Sequence, residues 1–182
     1  MLPSPSLFAL FGLLTSATET DQRDATACER APQYDVALLD GAVVRSDDLR
    51  GKVVLLDFWS SDCGPCVRAM PKLADLHARF VSDTRVAILL VNTGWEPIER
   101  ARAFAARREG RLPFAYDQDS KAFKSFGFDE NPASVLIDSR GCIAARHTGG
   151  SGTFLDELPS RIQHLLEPEA GTPPATGSQK PH

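Results

Sequence analysis

Residues 53–73, VVLLDFWSSDCGPCVRAMPKL, decide the fold of this chain. Val53–Trp59 is apolar throughout except for Asp57, which is how a strand buried on both faces reads. Four residues later Cys63, Gly64, Pro65 and Cys66 stand together. From there Val67, Met70, Leu73, Leu76 and Phe80 recur at helical spacing, so a helix starts at the cysteines and runs to about Val81. Two cysteines three apart in the first turn of a helix can close a small disulfide, and the helix dipole favours the thiolate of the first. The same spacing is half of a zinc site. Cys28 and Cys142 are isolated, however, and the sequence holds neither a second CxxC nor an HxxxH, so no metal is expected.

The rest of the composition narrows the class. A chain of 182 residues that is 42% hydrophobic forms one ordinary domain with a full core and tails. Its net charge of −4 and scattered Lys and Arg give no basic field, which argues against nucleic-acid binding. Four cysteines are too few to build a disulfide-stapled mini-fold. At the N-terminus the apolar run Leu7–Leu14 precedes Thr15, Ser16 and Ala17, the small residues a signal peptidase accepts, although no Lys or Arg comes before it. Residues 1–17 are therefore expected to be a signal peptide or a short apolar leader that anchors the chain, with export to the periplasm or cell envelope. Residues 18–30 read as a flexible linker, 31–166 as the folded domain and 167–182 as a disordered tail.

Within the domain, YDVALLDG and AVVRSDDLRGK suggest a hairpin turning at Asp40 and Gly41. Pro71 is expected to interrupt the first helix near its start. Val86–Asn92 reads as a second buried strand and Pro97–Arg108 as a helix. LPFAYD reads as a short strand, Ser120–Phe126 as a short helix, Ser134–Asp138 with Cys142–His147 as an antiparallel hairpin, and Phe154–Leu166 as a last amphipathic helix. The alternation gives an α/β fold, a mixed sheet flanked by helices.

The strand-CGPC-helix run, Asn131-Pro132 ahead of SVLID, and the hairpin at Ser139-Arg140-Gly141 together resemble the thioredoxin superfamily. The segment Val91–Phe128 looks like the central insertion of its TlpA/ResA/DsbE branch, the exported thiol:disulfide oxidoreductases. The resemblance implies a thioredoxin fold with an N-terminal hairpin extension and a TlpA-type insertion, in a monomer that needs no cofactor. It also implies disulfide-containing client proteins, a membrane thiol-electron donor of the DsbD/CcdA type, and a place in cytochrome c maturation or similar envelope work. A client-binding or chaperone module is the alternative from another class. A peroxide-reducing relative is a further one, against which the missing PxxxTxxC pattern argues.

Cys63 is expected to be the attacking thiol and Cys66 the resolving one, with Gly64 and Pro65 setting the turn between them. Asp57, in its apolar strand, is expected to have a raised pKa and to exchange a proton with Cys66; a buried carboxylate satisfied structurally is the plainer alternative. The resemblance makes Pro132 the family's cis-proline, with the preceding residue offering its backbone to the client. Asn131 departs from the residue types common there. Asp62 stands where relatives carry an aromatic residue, and a carboxylate beside Cys63 should disfavour its thiolate. By resemblance Glu96, just after VNTGW, corresponds to an acidic residue that TlpA-like proteins place near the dithiol, and its plainer reading is a solvated residue at a helix start; His77 reads as helix surface and His147 as a strand edge. Cys28 and Cys142 are either a second, structural disulfide or two free thiols; a loop of that size would contribute about 4 to 5 kcal/mol in the chain-entropy model.

Overall fold

The computed structural model describes residues 28–108, 112–150 and 153–167. The expectations for residues 1–17, for 18–27 and for the tail beyond 167 lie outside the described residues. The chain builds one seven-stranded mixed sheet in the order β2-β1-β5-β4-β3-β6-β7. The strands are β1 (Asp35–Leu38), β2 (Val43–Arg45), β3 (Val53–Trp59), β4 (Val86–Asn92), β5 (Phe114–Tyr116), β6 (Ala133–Ile137) and β7 (Ile143–Thr148). The helices are α1 (Gly64–Phe80), α2 (Ile98–Ala105), α3 (Lys121–Ser125) and α4 (Phe154–Leu166).

β3 is an interior strand of the sheet and is buried along its whole length. It pairs in parallel with β4 and antiparallel with β6. Side chains alternate between faces along a strand, and β3 divides the core accordingly. Val53, Leu55 and Trp59 pack with Met70, Leu73, Leu76 and Phe80 of α1, Ala101 of α2, and Leu158 and Ile162 of α4. Val54, Leu56 and Phe58 pack on the other side with Ala122 and Phe123 of α3, Phe126, Phe128 and Tyr34. The inserted segment supplies α2, β5 and α3. β5 extends the sheet in parallel beside β4, and the β1–β2 hairpin adds to its far side.

Two expectations need correction. α1 is not interrupted at Pro71 but continues through it as one helix to Phe80. Proline removes one i→i−4 hydrogen bond, a cost of about 3 kcal/mol in a helix interior. Met70, Leu73, Leu76 and Phe80, all buried against the sheet, offset that cost by burial. The second correction is at the N-terminal boundary, because residues 28–30 belong to the folded unit. The Ile143 amide donates to the Glu29 carbonyl at 2.8 Å and the Ala31 amide to the Gly141 carbonyl at 3.0 Å, so this segment covers the start of the free edge of β7. Covering an edge strand removes a row of unpaired backbone groups.

Candidate active site at the carboxyl edge of the sheet

The register brings four loops to one edge. β3 and β4 are parallel and end there, in the CGPC turn and in Thr93–Glu96. Ala133 pairs with Phe58 near the end of β3 and with Thr148 of β7, so Pro132 and Gly149–Gly150 reach the same edge. Loops at the carboxyl ends of parallel strands are the usual location of sites in such sheets.

Cys63 and Cys66 are joined in a disulfide, with Cα atoms 5.2 Å apart. Cys63 is the N-cap of α1 and half-buried, whereas Cys66, one turn in, is buried. The Cys66 amide donates to Cys63 Sγ at 3.2 Å. In the reduced protein that N–H and the helix dipole would both stabilise a Cys63 thiolate. Two side chains of opposite sign flank the turn. The exposed Asp62 is turned back, its Oδ1 accepting from the Ser60 hydroxyl at 2.7 Å. Arg68, exposed one turn into α1, brings Nη1 within 3.4 Å of where a Cβ on Gly64 would stand. Gly64 and Arg68 are four apart in a helix that starts at the cysteines, so the spacing itself could have pointed to this guanidinium.

Asp57 is only 3% exposed. By alternation it faces the α1 side with Leu55 and Trp59, which share a core cluster with Cys66. Burial pushes its carboxyl up from 3.8 to about 7, against the lowering effect of the Ser134 hydroxyl, which donates to Oδ2 at 2.7 Å. The raised pKa expected of this position is present, and its cause is desolvation.

Asp57 lines a small cavity of about 50 Å³ together with Pro65, Ala69, Pro132, Ser134, His147, Gly149, Gly150, Phe154 and Leu155. The Asn131-Pro132 bond is cis, and the Pro132 carbonyl accepts from the Gly149 amide at 2.8 Å. Asn131 reaches the β4 loop through its Nδ2, 3.3 Å from Thr93 Oγ1. His147 lies on the edge strand β7, as expected, and is also half-buried there, stacked on Phe154 with ring centroids 4.7 Å apart. A much larger cavity, about 520 Å³, sits at the opposite end of β3 beside Arg30, Lys52 and Arg140, and no cysteine lines it.

Glu96 departs most from its expected environment. It is 6% exposed rather than solvated. Its carboxylate accepts from the Ser61 amide at 2.8 Å, from the Ser61 hydroxyl, and from Asn92 Nδ2 at 2.6 Å, with Arg100 Nε 3.5 Å away. Ser61 lies two residues before Cys63, so Glu96 fixes the approach to the dithiol from the β4 loop. A buried charge is tolerated when its lone pairs are matched in this way. Sequence spacing alone does not reveal that 35 residues of chain fold back to meet here.

Cys28 and Cys142 are bonded, with Cα atoms 5.3 Å apart, at the end of the molecule away from the CGPC turn. Among the described residues no cysteine is free and no group of three or more His, Cys, Asp or Glu is placed to hold a metal ion. No described helix is long and apolar enough to cross a membrane.

Comparison with known proteins places the chain in a consistent setting. The Redoxin family model matches residues 26–160. Thiol-disulfide oxidoreductase ResA of Halalkalibacterium halodurans is 30% identical over 150 residues, 82% of each chain. ResA of Geobacillus thermodenitrificans is 33% identical over 144 residues, 79% of this chain and 82% of that one. Among solved structures, a protein assigned as thiol:disulfide interchange protein DsbE from Chlorobium tepidum superposes with a TM-score of 0.68. It is 28% identical, with 77% of this chain and 97% of that chain covered.

Proposed function

We propose, for a chain that belongs to the Redoxin family and is a thiol:disulfide oxidoreductase, that it works as a reductant of protein disulfides in the cell envelope. The observation that carries this reading is the CGPC pair at the head of α1, with a buried Asp57 on the sheet face behind it and Pro132 on the neighbouring loop. Its substrates are disulfide-containing proteins.

In the reducing direction the Cys63 thiolate attacks a client disulfide, forming a Cys63–client bond and releasing one client sulfur as a thiolate, which takes a proton from water. Asp57, as carboxylate, takes the proton of Cys66. The Cys66 thiolate then attacks Cys63 Sγ, the Cys63–Cys66 bond forms, and the second client sulfur leaves and is protonated. The client has gained two electrons and two protons and the dithiol has lost them. A group with a pKa of about 7 suits the transfer, since it is half ionised near neutral pH.

Gly64 and Pro65 hold the sulfurs at disulfide range. Asn131 presents its main chain to an extended client segment, while the Pro132 carbonyl is already occupied by Gly149. Asp62 weakens the Cys63 thiolate and keeps the contact surface polar. The oxidised pair is returned to the dithiol by a membrane donor of the DsbD/CcdA type. Resemblance to the ResA and DsbE branch supports that partner, a monomeric exported chain and a client in cytochrome c maturation. The Cys28–Cys142 disulfide also supports an oxidising compartment.

Insulin-disulfide reduction, run with the wild type and with Cys66→Ser, tests the reading. Turnover by the wild type and trapping of clients on Cys63 by the variant are expected. Absence of both would turn the assignment toward a client-binding module.

A further inference from the structure

Three polar side chains stand in a row across three strands. Asp57 of β3 pairs in register with Ser134 of β6, and Ser134 with His147 of β7. Residues directly opposite on neighbouring strands point to the same face with Cβ atoms about 5 Å apart. The row therefore lies on the face covered by α1 and α4, and all three side chains line the 50 Å³ cavity. Ser134 Oγ is hydrogen-bonded to Asp57 Oδ2 at 2.7 Å. The cavity has room for water, which needs about 10–15 Å³ and polar partners.

Elsewhere Asp57 is walled in. Its neighbours on the same face of β3 are Leu55 and Trp59, its partner in β4 is Leu90, and all are fully buried. A carboxylate that takes a proton in each turnover gives it up before the next, either back to Cys66 when the dithiol is restored or to solvent, and apolar walls offer no path to solvent. His147 stands at the other end of the row, half-buried on the outermost strand. Its Nε2 lies 3.0 Å from the Gly149 carbonyl, which can only accept, so Nε2 carries the hydrogen and Nδ1 of the neutral ring is the free acceptor. Histidine is the side chain suited to passing protons near neutral pH.

We propose that Ser134 and His147 form the proton outlet of Asp57. Both are positioning residues in the proposed reduction, and the inference rests on the reading of Asp57 as the base for Cys66. The Asp57 carboxyl, once protonated, gives its proton across the cavity to His147 Nδ1, assisted by the Ser134 hydroxyl and water. The carboxylate is restored, and the imidazolium loses the proton to bulk solvent. No electrons move in this step.

The surrounding charges leave the row to itself. On α4, Asp156 is paired with Lys72 of α1 and Glu157 with Arg161, all four at the surface. On β7, Arg146 alternates to the opposite face and is paired with Glu29. Asp57 and His147 are the titratable side chains lining the cavity among the described residues.

The test measures the steady-state rate of client reduction over many turnovers, with dithiothreitol in excess to restore the Cys63–Cys66 dithiol, as a function of buffer concentration, in the wild type, His147→Gln, His147→Ala and Asp57→Asn. In dilute buffer both His147 variants should turn over about a hundredfold more slowly, the lower end of what proton-transfer groups supply. Raising imidazole should restore them, most fully in His147→Ala, whose cavity admits it. Asp57→Asn should be slow and indifferent to buffer. Wild-type rates in the His147 variants with a slow Asp57→Asn would overturn the outlet alone. Slow His147 variants that imidazole does not rescue would assign His147 a structural role and overturn it too. A wild-type rate in Asp57→Asn would instead remove the reading of Asp57 on which the outlet rests.

Discussion

The Glu96 carboxylate accepts the backbone N–H of Ser61 at 2.8 Å, so a side chain of the β4–α2 loop holds the segment that delivers Cys63 to its helix. The same carboxylate takes Asn92 Nδ2 at 2.6 Å. Truncation takes this acceptor from three donors, the Ser61 amide, the Ser61 hydroxyl and the buried Asn92 Nδ2, at about 1–3 kcal/mol for each group left unsatisfied. Glu96→Ala should lower the denaturant midpoint clearly and slow alkylation of reduced Cys63. Glu96→Gln, which keeps one acceptor oxygen, should do less of both. Equal effects for the two variants would show that the charge, not the hydrogen bonds, holds the loop.

Gly150 permits a close approach that no other residue allows. A Cβ there would stand 2.4 Å from Pro65 Cβ, well inside contact distance. Either the turn after β7 or the CGPC turn must shift, and overpacking of this kind costs about 1–3 kcal/mol. Gly150→Ala is expected to lose stability in urea and to alter the reactivity of Cys63, because Pro65 is the neighbour displaced.

The Cys63 thiolate lies between charges of opposite sign. Asp62 adjoins it in sequence, and Arg68 reaches the Gly64 side of the turn. A like charge nearby disfavours an anion and an opposite charge favours it. In the reduced protein Asp62→Asn should lower the Cys63 pKa and Arg68→Gln should raise it, both by amounts that shrink with added salt because the groups are exposed. Thiolate absorbance followed against pH reads both directions. An unchanged titration in Arg68→Gln would show that the helix terminus alone sets the pKa.

The Cys28–Cys142 disulfide closes a loop spanning 114 positions far from the CGPC turn. The chain-entropy model gives about 4 to 5 kcal/mol for such a loop. Cys28→Ser with Cys142→Ser should therefore unfold at markedly lower denaturant while retaining most of its insulin reduction, since neither cysteine lines the cavity beside the CGPC turn. A loss of activity in a folded double variant would contradict the separation of the two disulfides.

What the sequence discloses and what it hides follow one physical division. Cys63, Cys66 and the lone carboxylate of Asp57 are legible because strand, turn and helix signals around them are local. Pro132 is legible only through its resemblance to a family. Glu96, Ser134, His147 and Gly150 acquire their roles from register and loop convergence. Nothing in the spacing of Glu96 shows that it meets Ser61, and His147 passes for a strand edge until β6 sets it opposite Ser134. Pro71 misleads in the other direction, because its local preference is overruled by the apolar face of α1.

Asp57 links the site to stability with a definite sign. Its folded-state pKa of about 7 lies above the roughly 3.9 of an unfolded chain. Between those values the folded protein holds a proton that the unfolded chain has released, so stability falls as pH rises from about 4 to about 7 and is flat above that window. A rise from 3.8 to about 7, at 1.36 kcal/mol per unit, amounts to about 4 kcal/mol. Asp57→Asn removes the ionisation. The variant should be more stable than the wild type at pH 8 by a few kcal/mol, and the gap should close as the pH is lowered toward 4. Ser134→Ala removes a hydrogen bond that favours the carboxylate, so it should carry the midpoint of the wild-type pH dependence upward. Denaturant titrations of the oxidised proteins between pH 4 and 9 check both. A stability gap independent of pH would mean that the introduced amide repacks the site rather than relieving a buried charge. A gap that follows the predicted window would identify Asp57 as a residue whose burial costs the fold stability in return for a base near neutral pH.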